Sequence, residues 1–150
     1  MALLLPPGEP AIIRLAYPHM MRLDALLWTQ WLREDRYDID QVWYDLKVGT
    51  PIATPPEADE NLKALAIGTG CKRIDVVASV GNHYWIIEVK PYANYVPLGQ
   101  VRTYVDLFAA KYGRPRPLVP VVVCATADVD LAMTYRDLGV RIERVGTIPW

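Results

Sequence analysis

A chain of 150 residues has the length of one ordinary domain, and 52% apolar against 22% charged residues is a globular balance rather than that of a disordered chain. Sixteen basic and 17 acidic side chains leave a net charge of −1. No bulk field then draws the molecule onto nucleic acid, and any such contact has to come from a local patch. The two cysteines, Cys71 and Cys124, lack CxxC spacing and read as free thiols in a reducing compartment rather than as zinc ligands.

Met1 to Leu5 is apolar but short, has no basic flank and is stopped by Pro6-Pro7, unlike a secretory leader. No run reaches the roughly 18 apolar residues of a membrane span, so one cytoplasmic domain over residues 1–150 is expected. The first strong element is a helix from about Pro18 to Arg33, with Met20, Leu23, Leu27, Trp28 and Trp31 at helical spacing. Asp24 lies within that apolar face, where a carboxylate needs a partner. Gln41 to Val48 alternates Val42, Tyr44, Leu46 and Val48 with polar or bulky residues, as a strand does. Asp45 on it reads as a solvated edge residue. Residues 49–60 read as a loop rich in Pro, Thr and Ala, and Asp59 is placed to cap a short helix over Asn61 to Ile67.

Lys72 to Val80 and His83 to Lys90 are two β-rich runs separated by Gly81-Asn82, the signature of a two-residue hairpin. A helix follows from Pro97 to about Tyr112, with Gly113 as its stop. Leu118 to Cys124 is a continuous apolar run, expected to be a strand covered on both faces. Asp128 to Leu138 reads as a helix ended by Gly139, and Val140 to Val145 as a closing strand. Arg114 and Arg116, between prolines, form the best local basic patch, with a solvated loop as the alternative reading.

The hairpin carries the chemistry. With Val80 opposite His83, the register sets Asp75 opposite Glu88 and Arg73 opposite Lys90, all on one face, while Ile74, Val76, Ala78, Val80, Trp85, Ile87 and Val89 form the apolar other face. Directly opposed side chains hold their Cβ atoms about 4.5–5.5 Å apart, and like charges at that distance repel. A divalent cation relieves the repulsion. Mg2+ or Mn2+ suits oxygen donors, a pair of carboxylates with water and phosphate completing the shell.

Ile74-Asp75 followed by Glu88-Val89-Lys90 on the next strand, in an α-β-β-β-α-β order of elements over about residues 18–124, resembles the PD-(D/E)XK nuclease superfamily. Ile74 stands where the family name has proline. Gln100 and Tyr104 match the Gln-x-x-x-Tyr motif of RecB-like members, with Lys111 further along the same helical stripe, and the whole chain is similar to short nuclease-like proteins of tailed bacteriophages. The resemblance implies a restriction-endonuclease-like α/β fold, a central mixed β-sheet flanked by helices with an added α-β unit. It further implies that Asp75, Glu88 and the Val89 carbonyl hold Mg2+ or Mn2+ and that Lys90 orients or deprotonates the attacking water. Gln100 and Tyr104 would then position water, ligand or the nucleic-acid backbone, and DNA is the implied substrate. Asp24 is either a further acid of this site or a buried hydrogen-bonding group. The alternative function is a non-catalytic scaffold with this fold or a phage virion protein, located in the virion or the host cytoplasm.

Overall fold

Gly81 takes φ +56, a conformation in which a Cβ is strained, and turns the chain between β2 (Lys72–Val80) and β3 (His83–Val89). The two strands pair antiparallel with Val80 facing His83, a register held through Val76 facing Ile87. The computed structural model describes residues 1–51 and 53–146, with the backbone alone for 67–70; residue 52 of the expected 49–60 loop lies outside them. Strand β1 (Ile39–Val48) pairs antiparallel with β2 at one edge. On the other side β3, β5 (Leu118–Cys124) and β7 (Arg141–Arg144) run parallel, giving a mixed five-stranded sheet of order β1-β2-β3-β5-β7.

Helix α1 (Arg22–Glu34) covers one face, burying Leu27, Trp28 and Trp31 against Val76, Ala78, Ile87, Val121 and Val123. Helix α3 (Tyr95–Tyr112) covers the other, packing Val101, Val105 and Phe108 on Val77, Ile86 and Val122. The parallel step from β3 to β5 requires a crossover, which α3 supplies. Strand β5 is therefore buried on both sides, as its uninterrupted apolar run implies. Helix α2 (Glu60–Gly70) begins at Asp59, whose side chain accepts the Leu62 N–H at 2.8 Å, and runs past the expected Ile67.

Several boundaries move for local reasons. Helix α1 starts at Arg22 rather than Pro18, because His19 adopts φ +54 and cannot continue a helix. Helix α3 starts at Tyr95, where Asn94 caps the Val96 N–H. The expected 128–138 helix is instead a 3-10 turn over Val129–Leu131, led by an Asp128 cap, and then α4 (Ala132–Asp137), with Gly139 at φ +69 ending the segment. Two residues on each of β4 (Tyr92–Ala93) and β6 (Thr126–Ala127) form a second small sheet too short to leave a sequence pattern.

One expectation about faces is corrected. Ile74 lies in the core under α3, not with Val76 and Ala78, and Leu46 and Val48 lie there too while Val42 packs on the α1 side. Both strands change the side they present between Tyr44 and Leu46 and between Ile74 and Val76, with pairing intact on either side. At the switch Asp45 adopts φ +52, which breaks the two-residue alternation of a pleated strand.

Replacing Gly81 by alanine meets no neighbouring atom, so its cost is the left-handed backbone alone. Denaturant unfolding of Gly81→Ala should show a loss of about 1–2 kcal/mol; an unchanged midpoint would mean that the turn does not hold this conformation in solution.

Candidate active site

The antiparallel ladder between β2 and β3 ends at Val76 and Ile87. One step further the sheet forks. The Lys90 N–H goes to the Val123 carbonyl of β5 at 3.0 Å, and the Val89 N–H turns the other way and donates to Asp75 Oδ2 at 2.9 Å. A carboxylate thus replaces the backbone acceptor of β2. Because the N–H and C=O of a strand residue point to the same side, the Val89 carbonyl faces Asp75 as well.

Glu88, 3% exposed, completes the fork. Burial pushes its carboxyl up, and the Asp75 charge pushes it further, to about 9, against the opposing pull of Lys90. Burial also raises Asp75, to about 6, while the Val89 N–H, Lys90 and a hydrogen bond from Glu88 hold it lower. The two carboxyls therefore share a proton at neutral pH when nothing else neutralises them. Lys90 Nζ stands 3.7 Å from Glu88 Oε1, with about a third of its side chain exposed. Asp24 projects from α1 toward the same cluster: burial raises its carboxyl, Lys90 lowers it, and its charge acts on both Asp75 and Glu88.

From the opposite layer α3 brings Tyr104 and Gln100. Burial, then the charges of Glu88 and Asp75, push the Tyr104 hydroxyl up to about 12, so it stays a donor, and Gln100 hydrogen-bonds it. A groove of about 370 Å3 runs past these two residues, lined also by Gly99, Thr103 and Lys72. Lys72 is a basic neighbour that strand periodicity alone did not single out. The signal was available in the sequence: it opens the strand at the end of the sheet where Glu88 and Lys90 close theirs.

Other expectations change. Arg73 does not oppose Lys90. It faces Lys47 and donates to Asp45 Oδ2 at 2.8 Å, with His19 Nε2 2.7 Å from the same nitrogen. Asp45 is accordingly no solvated edge residue: its side chain is 14% exposed and held by Arg73 and His19. Lys111 ties α3 to β1 through the Lys47 carbonyl at 2.8 Å and takes no part in the cluster. Arg116 bonds Ser79 Oγ at 2.8 Å and lies over the Tyr84 ring, beside the hairpin turn and thus at the far end of the sheet from the carboxyls.

Among the described residues no three His, Cys, Asp or Glu side chains gather closely enough to hold an ion unaided. Mg2+ asks for less, commonly one or two carboxylates with waters and phosphate oxygens. Among the described residues, two buried acceptors of this cluster, Glu88 Oε2 and Gln100 Oε1, find no hydrogen-bond partner. Such atoms are costly unless a donor or cation meets them, so Asp75, Glu88 and the Val89 carbonyl fit a hard divalent ion.

Because the native state retains protons that the unfolded chain has already released, stability falls as pH rises from the ordinary carboxylate range toward about 9. Glu88→Gln removes that penalty. In a chelator its melting temperature should exceed that of the wild type by a few degrees, roughly 2–4 °C per kcal/mol recovered, at pH 8–9, and the gap should narrow toward pH 5. A difference independent of pH would show that Glu88 is not protonated by its surroundings.

No protein-family model matches the chain, and no curated protein matches it. Among solved structures it is similar to a repair endonuclease from Pyrococcus abyssi, at 16% identity over 62% of this chain and 49% of that one, with a TM-score of 0.43. It is similar also to a protein from Vibrio cholerae, at 16% identity over 81% of this chain and 29% of that one, TM-score 0.46. A protein of unknown function aligns at 14% identity over 78% of this chain and 54% of its own, TM-score 0.42. This chain spans about half or less of the length of each. The mixed α/β architecture, a five-stranded central sheet flanked by helices, stands on this chain's own strand pairing and packing.

Proposed function

We propose that this chain is a metal-dependent nuclease that hydrolyses DNA phosphodiester bonds at the fork between β2 and β3. The observation that carries the reading is the buried Asp75–Glu88 pair, with an unpartnered Glu88 oxygen and Lys90 Nζ 3.7 Å away. A buried like-charge pair costs stability and serves no packing purpose, whereas perturbed carboxyls beside a cleft are what hydrolytic chemistry requires.

In this reading Asp75, Glu88 and the Val89 carbonyl hold Mg2+ or Mn2+. When bound, the cation supplies a nucleophilic water at neutral pH and neutralises phosphate charge. Lys90 donates to the attacking water or a non-bridging phosphate oxygen, and the carboxylates orient it through Glu88. Tyr104, protonated throughout the working range, donates to the phosphate, while Gln100 Oε1 accepts from the water it positions. Lys72, at the mouth of the α3 groove, meets a flanking phosphate. Asp24 acts through Lys90, whose charge it faces across the cluster.

Two measurements test this. Mn2+ at millimolar concentration should raise the melting temperature of the wild type by mass action, with Asp75→Asn losing most of the shift; identical curves with and without metal would sink the cation site. In a cleavage assay with Mn2+ and linear or branched DNA, Lys90→Ala should retain its fold yet lose about a hundredfold or more in rate. Equal activity in both proteins would assign the cleavage to a contaminant.

A further inference from the structure

Arg22, Leu26 and Arg33 on the outer side of α1 are exposed. Arg22, Leu26, Thr29 and Arg33 recur along it at helical spacing, and the N-terminal segment from Ile13 to Ala16 rises alongside, so that the two enclose a groove of about 570 Å3. Its apolar lining is solvated: Leu15 is fully exposed and Ile13 half-exposed. The inner side of the same helix carries Leu27, Trp28 and Trp31 into the core; Met20 and Ala25 pack against that core from the groove side, while Leu15 and Leu26 stay exposed.

Charge decides what fits. Among the described residues that line the groove are three arginines, Arg14, Arg22 and Arg33, and no carboxylate. Arg14 is held by Glu9 at 2.5 Å, while Arg22 and Arg33 are exposed at the two ends of the helix, about 16 Å apart along its axis. An aliphatic trough between guanidinium groups matches an amphipathic segment that presents aliphatic side chains flanked by Asp or Glu. Single-stranded nucleic acid suits it poorly, because no described residue of the lining offers an aromatic ring on which a base could stack. A membrane surface is flat, and this site is concave.

We propose that the α1 groove docks an acidic amphipathic helix of a partner protein, about three turns long, with carboxylates meeting Arg22 and Arg33. None of the described residues lining the groove is Asp75, Glu88, Lys90 or Asp24, so binding here is tested separately from catalysis there.

A fluorescent helical peptide with leucines on one face and glutamates about three turns apart tests the proposal by anisotropy. The wild type should bind it. Arg22→Glu/Arg33→Glu should weaken binding by at least about tenfold and acquire affinity for the matching lysine peptide; where that variant folds poorly, Arg22→Gln/Arg33→Gln should give a smaller loss in the same direction. Lys90→Ala should bind the glutamate peptide as the wild type does, whatever its nuclease activity. Absence of peptide binding, or equal binding by wild type and both arginine variants, overturns the proposal. So does a self-association in sedimentation velocity, or an affinity for anionic vesicles or single-stranded DNA, that the arginine substitutions abolish while the peptide fails to bind.

Discussion

The hydrogen bond from the Val89 N–H to Asp75 Oδ2 is the constraint around which the rest of the site is arranged. A strand shared by two ladders normally gives its backbone groups to two neighbouring strands. Here β3 keeps β5 and gives up β2, and a side chain fills the place that a backbone carbonyl would take. The exchange keeps the donor satisfied while drawing a carboxylate into the sheet. Once Asp75 is there, Glu88 on the departing strand is buried beside it, and each local requirement raises the electrostatic cost of the next.

That cost is met from both layers. Lys90 lies at the mouth of the fork, Tyr104 and Gln100 reach it from α3, and Asp24 from α1. The small β4–β6 sheet and the Tyr135 hydroxyl, which donates to the Asn94 carbonyl at 2.6 Å, fix the start of α3 just beyond Lys90. Gln100 and Tyr104 sit in the first three turns of that helix, so their distance from Glu88 is set by a short, braced connection rather than by a mobile loop. This is the rigid support that a polar cluster needs if its geometry is to persist.

The sequence made the hairpin legible because its determinants are local: Gly81-Asn82 fixes the turn, and strand alternation carries the register outward to Val76 and Ile87. Burial of α1 and α3 was readable for the same reason, from side-chain periodicity within each helix. What could not be read was the end of the ladder. Nothing near Arg73 shows that it will take Asp45 as partner, 28 positions earlier, or that Asp45 will adopt a left-handed backbone to receive it. Opposing Arg73 to Lys90 extended a regular sheet through the place where a side chain interrupts it. Arg116 posed the mirror problem: its charge was visible, but its engagement by Ser79 and Tyr84 depends on where the hairpin tip lies in space.

Trp28 and Trp31 stack in α1 with ring centroids 5.0 Å apart and planes 16° from parallel. Trp28 donates to the Tyr44 hydroxyl and Trp31 to Glu143, so each indole is pinned to a different strand. Two indoles this close and this nearly parallel couple their electronic transitions, and the sign and size of that coupling depend on their mutual angle. Asp24 lies one helical turn before Trp28 on the same rigid helix. The circular dichroism of the pair is therefore an intrinsic optical gauge of how α1, and with it the third carboxyl, is seated on the sheet.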